Sequence, residues 1–160
     1  MTELIIFTGG ICLNNGKQDC KASFGVHFPN KEFDDIGEQL NETNITPTNN
    51  RVELAALLKT LQVIKDIKDT NITINSNSEY CVKCVSEWYK KWIKNNWKNA
   101  NKKPVVNSDL IKEILTLKDN LILNNNKITF KYIKVKCYDD TFESNCNNIV
   151  DELAKNVFNS

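Results

Sequence analysis

Leu4-Ile5-Ile6-Phe7-Thr8-Gly9-Gly10 decides how this chain is read. The apolar run predicts a strand that ends on a glycine pair. A second strand-like run, Ile72-Thr73-Ile74, ends on Ser76-Asn77-Ser78. In α/β folds the carboxyl ends of strands carry functional groups, so Gly9 and Asn77 are expected to share a cleft.

Outward from these runs, residues 3–12, 20–28 and 31–40 read as three strands joined by short turns. Asn14-Asn15-Gly16 and Pro29-Asn30 supply the turn chemistry. Residues 41–48 are a polar loop. Asn49 or Asn50 is expected to cap a helix running to about Ile67, with Leu54, Leu57, Leu58, Leu61 and Ile64 at helical spacing. Residues 71–76 form a short β-branched strand. Ser78 starts a helix, and Ser86 is expected to cap another through Lys94. A polar loop with Pro104 spans 98–106, and Asn107 or Ser108 caps a helix to about Asp119. A strand over 128–135, an irregular stretch over 136–146 and a helix over 147–157 complete the chain. The order βββ-α-β-ααα-β-α predicts an α/β fold. Its five-stranded mixed sheet has three antiparallel strands followed by parallel additions and is flanked by helices, in one domain over 1–160.

A length of 160 residues with 41% hydrophobic composition suits one domain with a sizeable core. No stretch nears the ~18 apolar residues of a membrane span, so no membrane partner is expected. Met1-Thr2-Glu3 leads into a strand without the layout of a secretory signal. The expected setting is intracellular: cytoplasm, nucleus, viral factory or virion. The six cysteines, at 12, 20, 81, 84, 137 and 146, fit a reduced compartment better than a disulfide scaffold. Cys81-x-x-Cys84 has zinc-like spacing, but no second pair follows, and packing within a helix is the expectation.

The net charge is only +1, yet its distribution is uneven. Lysines 83, 90, 91, 94, 98, 102 and 103 crowd a segment whose one acid is Glu87. Arg51 is the one arginine. Such a basic face is the electrostatic footprint of a polyanion partner.

Thr8-Gly9-Gly10, Thr48-Asn49-Asn50-Arg51-Val52-Glu53-Leu54, Ser76-Asn77-Ser78 and Asn147-Asn148-Ile149-Val150-Asp151-Glu152-Leu153-Ala154 resemble, in order and spacing, the signature of the ribonuclease H family. The resemblance covers almost the whole chain. It implies the ribonuclease H-like fold and the family's chemistry, cleavage of the RNA strand of RNA/DNA hybrids by two metal ions held on four carboxylates. Two Mg²⁺ ions roughly 4 Å apart activate water and stabilise the leaving oxygen, and they need hard oxygen ligands. By the resemblance Glu53 matches the second acid and Asp151 the fourth. The first position, which bridges both ions, holds Gly9, and the third holds Asn77. The family's histidine loop is matched by Lys136-Cys137-Tyr138-Asp139-Asp140. The only histidine, His27, lies on the second strand and is read as a partly buried strand residue. The expectation is therefore a remnant site, Glu53 and Asp151, with weak or absent metal binding. No cofactor is expected unless the chain is active, when Mg²⁺ or Mn²⁺ would serve. Glu79, Asp139 and Asp140 are the candidate replacements.

Residues 86–106, from Ser86-Glu87-Trp88 through Lys102-Lys103-Pro104, resemble the family's basic protrusion, which grips the DNA strand. Trp88 and Trp92, four apart on one helix face, are expected to pack as core. The resemblance places Trp97, with Thr48 and Asn107, in a DNA-phosphate pocket, with Lys98 among the neutralising lysines. Asn49, Asn50 and Arg51 match residues that contact the minor groove and RNA 2′-hydroxyls, a use that suits amide groups. Three readings stand: an inactive module binding RNA/DNA hybrid or duplex nucleic acid, an active hybrid-cleaving nuclease, and a structural subunit with protein partners in a larger viral or ribonucleoprotein assembly.

Overall fold

In a computed structural model that describes residues 1–14, 19–134 and 140–159, the sheet runs β3-β2-β1-β4-β5. Strand β1 (Thr2–Leu13) is central. It pairs antiparallel with β2 (Lys21–His27), which pairs antiparallel with β3 (Ile36–Gln39). On its other side β1 runs parallel to β4 (Thr70–Ser76), and β4 runs parallel to β5 (Lys127–Tyr132). The expected α/β fold and mixed sheet are as observed.

Strand alternation sorts β1 between two layers. Leu4 and Ile6 face the larger core, beneath α1 (Asn49–Val63) and α4 (Ser108–Leu123). Ile5 and Phe7 face a smaller cluster with Ile133, Cys146 and Val150, beneath α5 (Phe142–Asn156). The periodic residues Leu54, Leu57, Leu61 and Ile64 are fully buried.

Gly9 lies opposite Gly25, and Gly25 opposite Gly37, so three glycines cross three strands in one row. A Cβ on Gly25 would strike the Val150 carbonyl, and one on Gly37 would lie 2.6 Å from the Leu153 carbonyl. Helix α5 beds into this side-chain-free trough, and Ser23 Oγ donates to Ala154 O at 2.6 Å to hold it there.

Several elements differ from expectation, each for a local reason. Thr48, not Asn49 or Asn50, caps α1, its Oγ1 accepting from Arg51 N. Helix α1 stops at Val63 because Ile64 leaves helical geometry, and Ile67 N bonds back to Ile64 O as a turn. Strand β3 is short because Asp35 ties down the preceding segment, accepting from Phe28 N and pairing with His27.

Ser86 is no cap. Ser78 caps α2 (Glu79–Lys83), which passes through a π-helical turn, Cys84–Trp88, into α3 (Tyr89–Lys94). The wider turn rotates Trp88 outward to 38% exposure, so it is not the core residue expected from α-helical spacing, whereas Trp92 is half-buried and packs against the larger core as expected. Helix α4 extends past Asp119 to Leu123. Asn107, in left-handed geometry (φ 64°), precedes it, with its side chain engaged elsewhere. Helix α5 starts at Phe142, earlier than expected, because Thr141 accepts from Ser144 N. Residues 15–16 of the first turn, and 136–139 of the segment matched to the histidine loop, lie outside the described residues.

Cys12 and Cys20 are joined as a disulfide, contrary to the fully reduced set expected. Their spacing of eight spans the β1–β2 hairpin, which brings the sulfurs together. Cys81 and Cys84 pack in the core as expected. Among the described residues, no helix is long and apolar enough to cross a membrane.

Candidate functional site

Thr8 and Ser76 are register partners, so Gly9 and Asn77 follow at the point where β4 leaves β1. With Gly10, Asn147, Val150 and Asp151 they line a cavity of only about 20 Å³. That is about the room of one water molecule. Position 9 points toward α5, and a Cβ there would lie 2.9 Å from Val150 Cγ1. The position that the resemblance assigns to the bridging acid has no side chain, and a Cβ added there would crowd one atom, Val150 Cγ1.

The two matched carboxylates sit in opposite environments. Glu53, on α1, accepts from Gly10 N at 3.1 Å through Oε1. The residue keeps some exposure, but Oε2 is sealed and has no hydrogen-bond partner among the described residues. Burial pushes its pKa up from 4.5 to about 7, against the stabilising Gly10 N–H. Burial thus favours its protonated form. Asp151, on α5, is half-exposed and pairs with Lys155 at 2.7 Å, one helical turn on. Asn77 is exposed and offers only a neutral amide.

The proposed replacements are engaged or out of view. Glu79 pairs with Lys83 at 3.2 Å, Asp140 accepts from Asn145 at 3.5 Å, and Asp139 lies outside the described residues. His27 pairs with Asp35 at 2.8 Å, away from the cleft. A glycine and a neutral amide at two of the four matched positions leave two carboxylates, Glu53 and the ion-paired Asp151, a poor donor set for a pair of divalent ions. Such ions need several ionised oxygens converging on them. Among the described residues, no group of three or more His, Cys, Asp or Glu side chains could hold a metal.

The polar residues assigned to nucleic-acid contact fall into two sets. Arg51 is buried, unlike a surface contact. Its Nε and Nη2 donate to Glu42 at 2.6 and 2.7 Å, and Nη1 and Nη2 donate to Asp109 at 3.0 and 2.6 Å. Nη1 also donates to Asn107 Oδ1 at 3.2 Å. The hydrogen bonds to Glu42 and then Asp109 raise the guanidinium pKa, and Asp109 is in turn held below its ordinary value. Arg51 therefore ties the loop before α1 to the start of α4. Around it, Thr48 caps α1 and Asn107 donates to Tyr80 Oη at 3.3 Å. Burial pushes the Tyr80 phenol up to about 12. Thr48 and Asn107, two of the three expected pocket residues, thus meet through Arg51. Asn49 and Asn50 are exposed in the first turn of α1.

Trp97 enters from the far end of an aromatic row. Tyr80, Trp88, Trp92 and Trp97 follow one another with ring centroids 6.0 to 6.1 Å apart. Trp97 has φ 61°, and its carbonyl accepts from Val105 N at 3.0 Å, folding the loop back toward Asn107. Lys98 bridges to Pro104 in the same fold-back. Lys112 of α4 lies over the Trp97 ring at 5.0 Å. Sequence reasoning missed Lys112 and Tyr80. Three positions after Asp109 on the same helix, Lys112 carried a faint spacing signal, and Tyr80 none. Lysines 90, 91, 94, 98, 102 and 103 are exposed and form no ion pair among the described residues.

The family model for RNase H matches residues 1–159. Ribonuclease H of Clostridium botulinum (strain Hall) is 32% identical over 161 residues, covering 99% of each chain. Ribonuclease HI of Haemophilus ducreyi is 34% identical over 158 residues, 97% of this chain and 90% of the relative. The PFV RNase H domain superposes with TM-score 0.73 at 19% identity, over 96% of this chain and 92% of that one. LC11-RNase H1, solved in complex with an RNA/DNA hybrid, gives 0.64 at 20% identity, over 96% and 94%. At such identities the structural likeness concerns the fold.

Proposed function

This chain belongs to the ribonuclease H family, and we propose that it holds RNA/DNA hybrid or duplex nucleic acid without cutting it. The observation that carries this reading is the relation of Gly9 to α5. The position matched to the bridging acid is part of the helix bed, with Val150 against it. Restoring a carboxylate there requires repacking as well as a new side chain. Glu53 and Asp151 remain as a pair of remnant acids, one buried beside Gly10 and one ion-paired with Lys155.

The gripping surface is better kept. Exposed, unpaired lysines flank a row of aromatic rings, and Thr48 and Asn107 are both hydrogen-bonded to one buried arginine, Arg51. Lysines of this kind neutralise phosphates and release counterions, so affinity falls steeply with salt. Asn49, Asn50, Trp97 and Lys98 are the proposed contacts. Arg51 acts behind them, by positioning. The foamy viral protease-reverse transcriptase, solved with an RNA/DNA hybrid and with double-stranded DNA, shares this fold and supports the choice of partner.

The names of the curated relatives favour a second reading, an active ribonuclease H with Mg²⁺ or Mn²⁺. A labelled RNA/DNA hybrid separates the two. Fluorescence anisotropy at low salt should show binding, with a log–log salt slope of about −3 or steeper. Incubation with either metal should leave the RNA strand intact. Metal-dependent cleavage by the unaltered chain would establish the nuclease instead. Lack of hybrid affinity at low salt would leave the scaffolding role.

A further inference from the structure

We propose that Cys12 and Cys20 are a reversible thiol–disulfide pair that sets how firmly the β1–β2 hairpin holds the wall of the cleft. Cys12 lies near the end of β1, opposite Ala22, and Cys20 immediately precedes β2. Their sulfurs are bonded, and both residues keep partial exposure. The other described cysteines do not compete for oxidants. Cys81, Cys84 and Cys146 are buried, and burial pushes each thiol up, Cys84 to about 11. Exchange proceeds through the thiolate and needs access, so these three are poor nucleophiles.

The chemistry needs only a small-molecule disulfide such as oxidised glutathione. The thiolate of one cysteine attacks it, forms a mixed disulfide and releases one small thiol. The thiolate of the second cysteine then displaces the other small thiol and closes the Cys12–Cys20 bond. Two electrons and two protons pass from the protein to the small disulfide, and an excess of small thiol reverses both steps.

The mechanical route is short. Cys12 is two residues beyond Gly10, whose N–H holds Glu53, and three beyond Gly9, on which α5 rests. Ser23, opposite Ile11, is hydrogen-bonded to Ala154 of α5, the helix that carries Asp151. Closing the bond cross-links the hairpin at its turn end, so loosening there no longer spreads toward these contacts. A cross-link of this span removes chain entropy from the unfolded state.

The test uses the full chain carrying Cys137→Ser, so that the readout belongs to the hairpin pair. After equilibration with oxidised glutathione, differential alkylation and peptide mass spectrometry should find Cys12 and Cys20 protected together. Cys81, Cys84 and Cys146 should react only after unfolding. Tm should rise by about 5 °C over the reduced protein, and hydrogen exchange at Ile11–Leu13 and Lys21–Ser23 should slow. Dithiothreitol should reverse all three changes on the folded protein. Cys20→Ser and Cys12→Ala should each abolish the difference and behave as the reduced form. Free alkylation of Cys12 and Cys20 after oxidation would overturn the proposal. So would an unchanged Tm, or a bond that dithiothreitol cannot open.

Discussion

Gly9 and Val150 occupy one space: a Cβ on the glycine would lie 2.9 Å from the valine Cγ1. Val150 is itself buried on α5, and that helix also rests on Gly25 and Gly37. The valine can yield only by rotating or by lifting α5. Gly9→Asp is therefore expected to lower stability by about 1–3 kcal/mol, the usual cost of overpacking. Gly9→Asp with Asn77→Asp should gain little hybrid cleavage in Mg²⁺. Adding Val150→Ala should recover part of the stability and raise cleavage further. Thermal melts and a labelled-hybrid assay read both effects. A double variant as stable as the parent and as active as the triple would show that Val150 is no obstacle.

Glu53 makes stability depend on pH. Its folded-state pKa of about 7 lies above the ordinary 4.5, so between these values the folded protein binds more protons than the unfolded chain. Stability should fall as pH rises from about 4.5 to 7 and level off above. Glu53→Gln keeps an acceptor for Gly10 N–H and removes the titration. Relative to the parent, the variant should gain on the order of 2 kcal/mol between pH 4 and pH 8. Urea unfolding at the two pH values measures the difference. Equal pH dependence in parent and variant would show that Glu53 ionises without penalty.

The strands that carry the cleft were legible because β1 holds the apolar run Leu4-Ile5-Ile6-Phe7 and β4 the β-branched run Ile72-Thr73-Ile74. The buried face of α1 was legible because Leu54, Leu57, Leu61 and Ile64 keep helical spacing. What escaped depends on partners distant in sequence. Gly9 reads as a missing acid in one dimension, and only the register with Gly25 and Gly37 reveals the trough for α5. Arg51 looked like a ligand contact because its acids, Glu42 and Asp109, lie 9 and 58 positions away. The π-helical turn that exposes Trp88 is braced by Lys118 Nζ, which donates to Val85 O at 3.1 Å across 33 positions. No spacing rule along the chain carries that contact.

Arg51 should matter more to folding than its place in the motif implies. Removing it leaves Glu42 without its buried partner and Asn107 Oδ1 without its donor. Arg51→Ala is expected to cost about 3 kcal/mol, the range for breaking a largely buried pair. Asp109 is too exposed to add much to that loss. Arg51→Lys should recover only part of it, since an ammonium cannot match both carboxylates in planar geometry. Chemical denaturation gives the values. A loss below about 0.5 kcal/mol for Arg51→Ala would place the residue among ordinary surface charges.

The protrusion offers the sharpest test of nucleic-acid binding, because its lysines and its aromatic row make separable predictions. Lys94, Lys98 and Lys102 are exposed and unpaired among the described residues, so exchanging them for Gln should leave the fold intact. It should also flatten the log–log salt dependence of hybrid affinity by about 1 for each lysine that meets a phosphate. Trp97→Leu acts differently. It removes the ring beneath Lys112 and the last member of the row from Tyr80. Affinity should fall at every salt concentration while the slope stays nearly constant. Anisotropy titrations from about 50 to 200 mM salt distinguish the two patterns. If the lysine variant keeps the parental slope, the phosphates are being met elsewhere on the molecule.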